Sequence, residues 1–253
     1  MAGSILLTGC SSDGADTKEL PSSSPDAATD AASPAAQDDS ASAYTTPATC
    51  EALTLKAGAT IPGKGLAACV VDAMEAYGTG TEYVLSNDQS GTARFRFGDD
   101  PAMAGENDGT GGKKTSYVFL GDEEWIKNDG SWVKGDPEGD SKAVMVASIA
   151  KLYRALADPK VTADVIGSSP TWKVEPEKDV IALENGENAN ALRIVSAEPF
   201  QWNGAKMSEY ILWMKDDATP VGAQGTSTVG GVQSTTSQHF YDLGKPVTIE
   251  PPE

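Results

Sequence analysis

The stretch from residue 113 to residue 134, KKTSYVFLGDEEWIKNDGSWVK, constrains the fold more than any other part of the chain. Gly121-Asp122 and Asn128-Asp129-Gly130 divide it into three short apolar runs. An Asp-Gly pair tolerates the positive φ that a tight hairpin turn requires. In the last two runs Trp alternates with Lys, which is typical of strands with one dry and one wet face. The sequence therefore predicts a three-stranded antiparallel meander over residues 117–120, 125–126 and 132–133.

Further strands lie on both sides of the meander. The clearest is TARFRF, in which Phe95 and Phe97 alternate with Arg94 and Arg96. The segments that we predict as strands are 81–87, 92–97, 171–174, 180–183, 191–197, 206–215, 220–228 and 233–243. Residues 99–112 are rich in Gly, Asp and Asn, so we expect a mobile loop there. The acidic residues of that loop do not have EF-hand spacing, and we predict no metal site.

Two segments have the periodicity of amphipathic helices. Residues 65–77 place apolar side chains three and four positions apart, and Gly78 is a natural stop. Residues 141–157 form the second helix, with Asp140 or Ser141 as the cap and Asp158-Pro159 as the end. We expect its apolar stripe to pack on a sheet face, either as ordinary core or as a lid over a cavity. The stripe comprises Val144, Met145, Ile149, Leu152, Tyr153 and Leu156.

The net charge narrows the classes of partner. The chain of 253 residues has a formal charge of −18. Nucleic-acid binding needs a basic surface, and adsorption to an anionic bilayer needs basic clusters, so both are disfavoured. No run approaches the ~20 apolar residues that a membrane-spanning helix requires.

The N-terminus resembles a bacterial lipobox, in which a Cys after a small residue is acylated. The run is Ser4-Ile5-Leu6-Leu7-Thr8-Gly9-Cys10. Its apolar part is shorter than the ~7–15 residues of a signal-peptide core, and no Lys or Arg precedes it. We therefore interpret residues 1–10 as the remnant of a lipoprotein signal that starts further upstream. This interpretation predicts lipidation at Cys10.

Residues 11–49 consist largely of Ser, Ala, Asp, Thr and Pro. Such a segment cannot bury enough apolar surface to offset the entropy of ordering. We interpret it as a disordered tether that holds a folded domain, residues 50–253, away from the outer face of the plasma membrane. The alternative is a disordered tail without an anchor.

Three cysteines are an odd number for an exported protein. If Cys10 is lipidated, Cys50 and Cys69 remain as a pair, and an oxidising compartment permits a disulfide between them. Two unrelated buried thiols are the competing interpretation.

The sequence disfavours an enzyme. His239 is the only histidine, it lies in a predicted strand, and no Ser stands in a nucleophile-elbow sequence. We expect His239 to be a surface or edge residue, and we predict neither catalytic residues nor a cofactor.

The order of elements resembles the actinobacterial envelope lipoproteins of the LppX/LprG type, which share the LolA-like half-barrel fold. The resemblance covers residues 66–253 and rests on the meander, on YILWMKD at 210–216 before Thr219-Pro220, and on FYDLGKPVTI at 240–249. Residues 161–186 depart from the pattern. The resemblance implies an α+β fold in which a curved antiparallel sheet wraps around one or two helices.

The resemblance also implies a non-enzymatic protein that binds the acyl chains of lipids or glycolipids, for carriage across the cell envelope. Apolar side chains on the inner sheet face would bind by removal of surface from water. A closed core without a cavity would show the same alternation, so both remain open. The candidate lining residues are Phe95, Phe97, Tyr117, Phe119, Leu192, Ile194, Tyr210, Leu212 and Met214.

A third hypothesis is a tethered module that docks another envelope protein. It would use the acidic loops or exposed Trp172 and Trp202. Such a module would bind no lipid.

Overall fold

One long antiparallel sheet, open at both ends, curves around the helices. It is seen in a computed structural model that describes residues 44–87, 89–109, 112–128 and 130–253. Cys10 and residues 11–43 of the predicted tether lie outside the described residues. The described part contains thirteen strands in one sheet and four helices. The predicted curved, half-barrel-like α+β architecture is confirmed.

The elements follow one another along the chain with short connections. The helices are α1 (Ala48–Glu51), α2 (Gly63–Tyr77), α3 (Ser141–Ala157) and α4 (Pro159–Ser168). The strands are β1 (Thr60–Pro62), β2 (Thr79–Ser86), β3 (Gln89–Arg96), β4 (Ala102–Asp108), β5 (Lys114–Leu120), β6 (Glu123–Asn128), β7 (Ser131–Lys134), β8 (Thr171–Ala182), β9 (Asn188–Ser196), β10 (Phe200–Trp202), β11 (Ala205–Met214), β12 (Pro220–Val229) and β13 (Val232–Tyr241). Their order in the sheet is β1-β8-β9-β11-β12-β13-β2-β3-β4-β5-β6-β7, and β10 pairs with β11 alone.

The predicted meander is confirmed as β5, β6 and β7, which end the sheet on one side. Trp125 lies opposite Lys134, and Lys127 lies opposite Trp132. Each Lys Nζ stands over the facing indole, at 5.3 Å for Lys134 and 5.8 Å for Lys127. The Trp–Lys alternation therefore pairs across the hairpin on the outer, solvated face.

The loop predicted over residues 99–112 is wrong, because Ala102–Asp108 forms β4 in the middle of the sheet. This strand pairs with β3 on one side and β5 on the other. A two-sided hydrogen-bond ladder stabilises a segment whose Gly, Asn and Asp residues have little intrinsic preference for strand. At Gly105 an added Cβ would lie 2.7 Å from the Tyr117 hydroxyl oxygen, so the aromatic ring covers the space left by the glycine.

The two predicted helices are confirmed, and a third follows them. Helix α2 ends at Gly78, whose φ is 69°. Helix α3 has the expected bounds, and the Asp140 carboxylate accepts hydrogen bonds from the backbone N–H groups of Lys142 and Ala143. Asp158-Pro159 ends α3 as predicted, but it also starts α4, because Asp158 caps the Lys160 N–H and Pro159 occupies the first turn.

The apolar stripe predicted for α3 is wrong in part. Val146 and Ala150 are fully buried, while Val144 and Met145 are 38% and 46% exposed. The side chains of Leu152, Tyr153 and Leu156 are not described. Val146 and Ala150, with the half-buried Ile149, pack against the cluster of the inner sheet face.

Apolar clusters lie on both faces of the sheet. On the inner face, α2 and α4 pack on β8, β9, β11 and β12, and α3 packs over β4, β5 and β6. On the outer face, Ile211 and Trp213 form one cluster, and Val118 packs against Ile249 of the C-terminal segment in another. This explains why the strand sequences YVFL and YILWM are apolar at every position.

The first described residues are fixed to the folded part. Cys50 and Cys69 form a disulfide, with an S–S distance of 2.06 Å, that joins α1 to α2. Upstream of it, the Tyr44 ring stacks on Tyr77 at 4.1 Å, and the Thr46 hydroxyl donates to the Asp217 carbonyl. Residues 44–49, assigned to the tether by composition, therefore contact the domain.

Candidate ligand-binding site

A groove lies between the inner face of β2–β5 and the helices. Its largest part, the wide lobe, has a volume of about 690 Å³ and lies beneath the junction of α3 and α4. Its apolar floor consists of Phe95, Phe97, Met103 and Phe119. The Phe95 and Phe97 rings are stacked with their centroids 4.6 Å apart, since they follow each other on the same side of the chain at the end of β3.

The wide lobe narrows into a waist and opens again. The waist has a volume of only about 30 Å³ and lies between α2, α4 and the strands. Beyond it, the polar lobe of about 520 Å³ reaches the hairpin ends of β2–β3 and β4–β5. Met103 lines all three parts, and Phe95 and Phe97 are shared by the wide lobe and the waist. The three spaces are therefore neighbours along one groove, with a flexible Met side chain at the narrowest point.

The rim of the wide lobe is charged on both sides. Arg154 of α3 donates to the backbone carbonyls of Gly121 and Glu123, and its Nη2 lies 3.2 Å from Glu124 Oε2. Its guanidinium also stands over the Phe119 ring, 5.2 Å from the centroid. These contacts fix the end of α3 to the β5–β6 turn and seal one edge of the lobe. The other charged residues of the rim are Glu75, Arg96, Asp158 and Lys160.

A carboxyl group faces the groove where the waist meets the polar lobe. Glu82 lies in β2 opposite Ala93 of β3, on the inner face, and it lines both spaces. Gln238 of β13 donates from Nε2 to Glu82 Oε1 at 2.8 Å. Burial raises the pKa of Glu82 to about 7, and the hydrogen bond from Gln238 opposes that rise. The residue keeps part of its surface accessible, and it lines the groove.

Tyr210 of β11 shares this environment. Burial raises the pKa of the Tyr210 hydroxyl to about 12, and the negative charge of Glu82 contributes. The same ring packs edge-on against the buried Trp172 at 5.8 Å. Glu82 and Tyr210 therefore interact across the interior at the border between the groove and the closed core.

The structure separates the nine candidate lining residues into two sets. Phe95, Phe97 and Phe119 line the wide lobe, and Tyr117 lines the polar lobe. The other five belong to the core beneath α2 and α4 and line none of these three spaces; they are Leu192, Ile194, Tyr210, Leu212 and Met214. The half of the sheet around β3–β5 thus carries the groove, while the five residues of β9 and β11 pack in the core cluster.

Sequence reasoning missed Met103 and Glu82. Met103 lies in the segment that composition marked as a loop. Glu82 lies in a strand where Tyr83 and Leu85 are the larger apolar residues, yet they face outward and Glu82 and Val84 face inward. Only the register with β3, which places Gly80 opposite the buried Phe95, reveals the inner face.

His239 and Trp172, which the sequence analysis considered for catalysis and for docking, both make contacts within the fold. His239 lies within β13 between β12 and β2 rather than at a sheet edge, and its Nδ1 is 3.0 Å from Glu184 Oε1 on the outer face. Trp172, expected to be exposed in a docking module, is fully buried and donates from Nε1 to the Ile166 carbonyl.

Across the described ranges, no group of three or more His, Cys, Asp or Glu side chains could hold a metal ion. No helix in those same ranges is long and apolar enough to cross a bilayer.

The sequence matches no protein-family profile and is not significantly similar to any curated protein. The fold is similar to that of the Mycobacterium tuberculosis lipoprotein LppX, with a TM-score of 0.51 and 12% identity over 74% of this chain and 98% of LppX. LprF from Mycobacterium bovis aligns with a TM-score of 0.49 and 13% identity, over 75% of this chain and 96% of LprF. The chain therefore has an LppX/LprG-type fold, an open, curved antiparallel sheet with a few helices on its inner face.

Proposed function

We propose that this protein binds apolar ligands, the acyl chains of a lipid or glycolipid, in the groove beneath α3 and α4. The observation that carries the proposal is the wide lobe, whose volume of about 690 Å³ lies within the range of small-molecule sites. Its floor of three Phe rings and Met103 offers mainly apolar contact. Each CH₂ group moved from water into such surroundings contributes about 0.8 kcal/mol, so a twelve-carbon chain gains roughly 9 kcal/mol before the cost of association.

We further propose that the domain of residues 50–253 carries its ligand while anchored in the cell envelope. The lipobox-like run ending at Cys10 and the Ser/Ala/Asp/Pro composition of residues 11–49 support an acylated N-terminus on the outer face of the plasma membrane. The disulfide between Cys50 and Cys69 fits an oxidising compartment. The likeness to the fold of a lipoprotein is consistent with this location. In this proposal the protein is a carrier and not an enzyme.

Binding of a neutral apolar fluorophore, N-phenyl-1-naphthylamine, tests the proposal. We expect saturable binding with one site per chain. Two variants should weaken it about ten-fold or more by filling space, Met103→Trp at the waist and Val84→Trp in the polar lobe. Two variants are used because a large side chain at the waist also crowds the core around Phe95.

The matched control is Leu85→Trp, which adds the same side chain one position further along β2. Leu85 is 41% exposed and points to the outer face, so this variant should bind the fluorophore as the wild type does. Absence of binding to the wild type, or equal binding by all four proteins, would contradict the proposed function.

A further inference from the structure

The groove contains a carboxyl group that the binding of an acyl chain alone does not require. Glu82 faces the point where the waist joins the polar lobe, and Phe95 and Met103 line the waist beside it. A buried carboxyl is costly unless it is protonated or hydrogen-bonded to a partner. Among the described residues, Gln238, a neutral amide, donates a hydrogen bond to this carboxyl.

The groups that face Glu82 are uncharged. Helix α4 contributes Pro159 and Thr162 to the waist, and α2 contributes Val70 and Met74. Strand β11 brings the Tyr210 hydroxyl, which remains protonated up to a pKa of about 12. The other charged residue that lines the polar lobe is Asp108, which lies at the outer end and pairs with Lys114 at 3.5 Å.

From this arrangement we propose that Glu82 and Gln238 select an uncharged lipid that carries a hydroxyl group, and that they disfavour a free fatty acid. The proposal rests on the proposed function and names the ligand class of the same groove. A hydroxyl can donate to the Glu82 carboxylate, and it can accept from the protonated acid, so it is satisfied in either state.

A fatty acid carboxylate behaves differently. It would place a second negative charge beside Glu82 at the waist, whose other lining residues are all uncharged, and the two like charges would repel each other. One of the two carboxyl groups must then take up a proton, which becomes harder as the pH rises above the pKa of Glu82, about 7. Preference for the alcohol should therefore grow between about pH 5 and about pH 8.

The test compares dodecan-1-ol with dodecanoate, which have the same chain, as competitors of N-phenyl-1-naphthylamine. For the wild type we expect the alcohol to be preferred at about pH 8, and the preference to shrink by about ten-fold or more at about pH 5. Because water also disfavours transfer of a carboxylate into an apolar site, the decisive comparison is with Glu82→Gln. This variant keeps the size of the side chain and its acceptor oxygen for Gln238. It should bind dodecanoate about ten-fold or more tightly than the wild type at about pH 8, and it should bind dodecan-1-ol with little change.

Glu106→Gln is the control, since Glu106 is exposed on the opposite face of the sheet and should leave both affinities unchanged. If the alcohol displaces the fluorophore, but Glu82→Gln and the wild type show the same preference for dodecan-1-ol over dodecanoate at both pH values, the selectivity proposal is overturned and the proposed function stands. If neither the fluorophore nor the alcohol binds the wild type, both proposals fail.

Discussion

The buried carboxyl of Glu82 makes the stability of the fold depend on pH in a specific direction. The pKa of Glu82 is raised by burial from 4.5 in the unfolded chain to about 7 in the folded protein. Between these values the folded state binds more protons than the unfolded state, so the free energy of unfolding falls as the pH rises through this window and is level above about pH 7. At about 1.4 kcal/mol per pKa unit the loss is at most about 3 kcal/mol, because water in the groove screens part of it.

Glu82→Gln should remove this dependence. Urea denaturation, followed by the fluorescence of the five Trp residues at constant ionic strength, measures the free energy of unfolding of both proteins from about pH 4.5 to about pH 8. We expect the variant to gain stability relative to the wild type across this range, by up to about 3 kcal/mol at the upper end. Glu106→Gln, on the outer face, should follow the wild type at every pH. Parallel curves for Glu82→Gln and the wild type would refute the claim that the groove holds a carboxyl shielded from solvent.

Three further changes test the packing around the groove. Replacing both Cys50 and Cys69 by Ser removes a disulfide that closes a loop with a sequence separation of 19. The free energy of unfolding, measured in urea, should fall by roughly 3 kcal/mol, and adding reductant should not lower the stability of this variant further. Asp140→Ala removes two hydrogen bonds at the start of α3 and should lower the free energy of unfolding by about 1 kcal/mol. Amide hydrogen exchange in the first turn of that helix should become faster, and unchanged exchange would contradict the capping role of Asp140. Gly63→Ala would place a Cβ 1.8 Å from the Ser169 carbonyl oxygen and should lower the free energy of unfolding by about 3 kcal/mol or more. The control is Gly167→Ala, whose Cβ meets only Ala67 at 3.8 Å and which should be neutral or stabilising by up to about 1 kcal/mol. Equal effects of the two changes would show that α2 does not approach the start of β8 so closely.

The sequence was sufficient to predict the elements that depend on residues close together in the chain. The Asp-Gly turns and the Trp–Lys alternation predicted β5–β7, because a hairpin depends on residues that are neighbours in sequence. The same holds for α3, whose start depends on the Asp140 carboxylate and whose end depends on Asp158-Pro159. The LppX/LprG-type arrangement followed from the order of these elements.

The sequence did not predict the features that depend on pairing between distant strands. Strand β4 has a composition typical of loops, and its place between β3 and β5 comes from a hydrogen-bond ladder that no local pattern reveals. Helix α4 was missed because Pro159 was interpreted only as a stop, although proline is also favoured in the first turn of a helix. The inward orientation of Glu82 depends on the register of β2 with β3, so the polar contact in the groove could not be predicted from the chain alone.

Native mass spectrometry of the protein incubated with dodecan-1-ol tests the central claim most directly, namely that the space between the curved sheet and the helices accepts an apolar chain. We expect one bound alcohol per wild-type chain and per Leu85→Trp chain, and little or none on Met103→Trp, in which the same side chain fills the space beneath the helices. An absence of bound alcohol on the wild type, or the same occupancy on all three proteins, would contradict it.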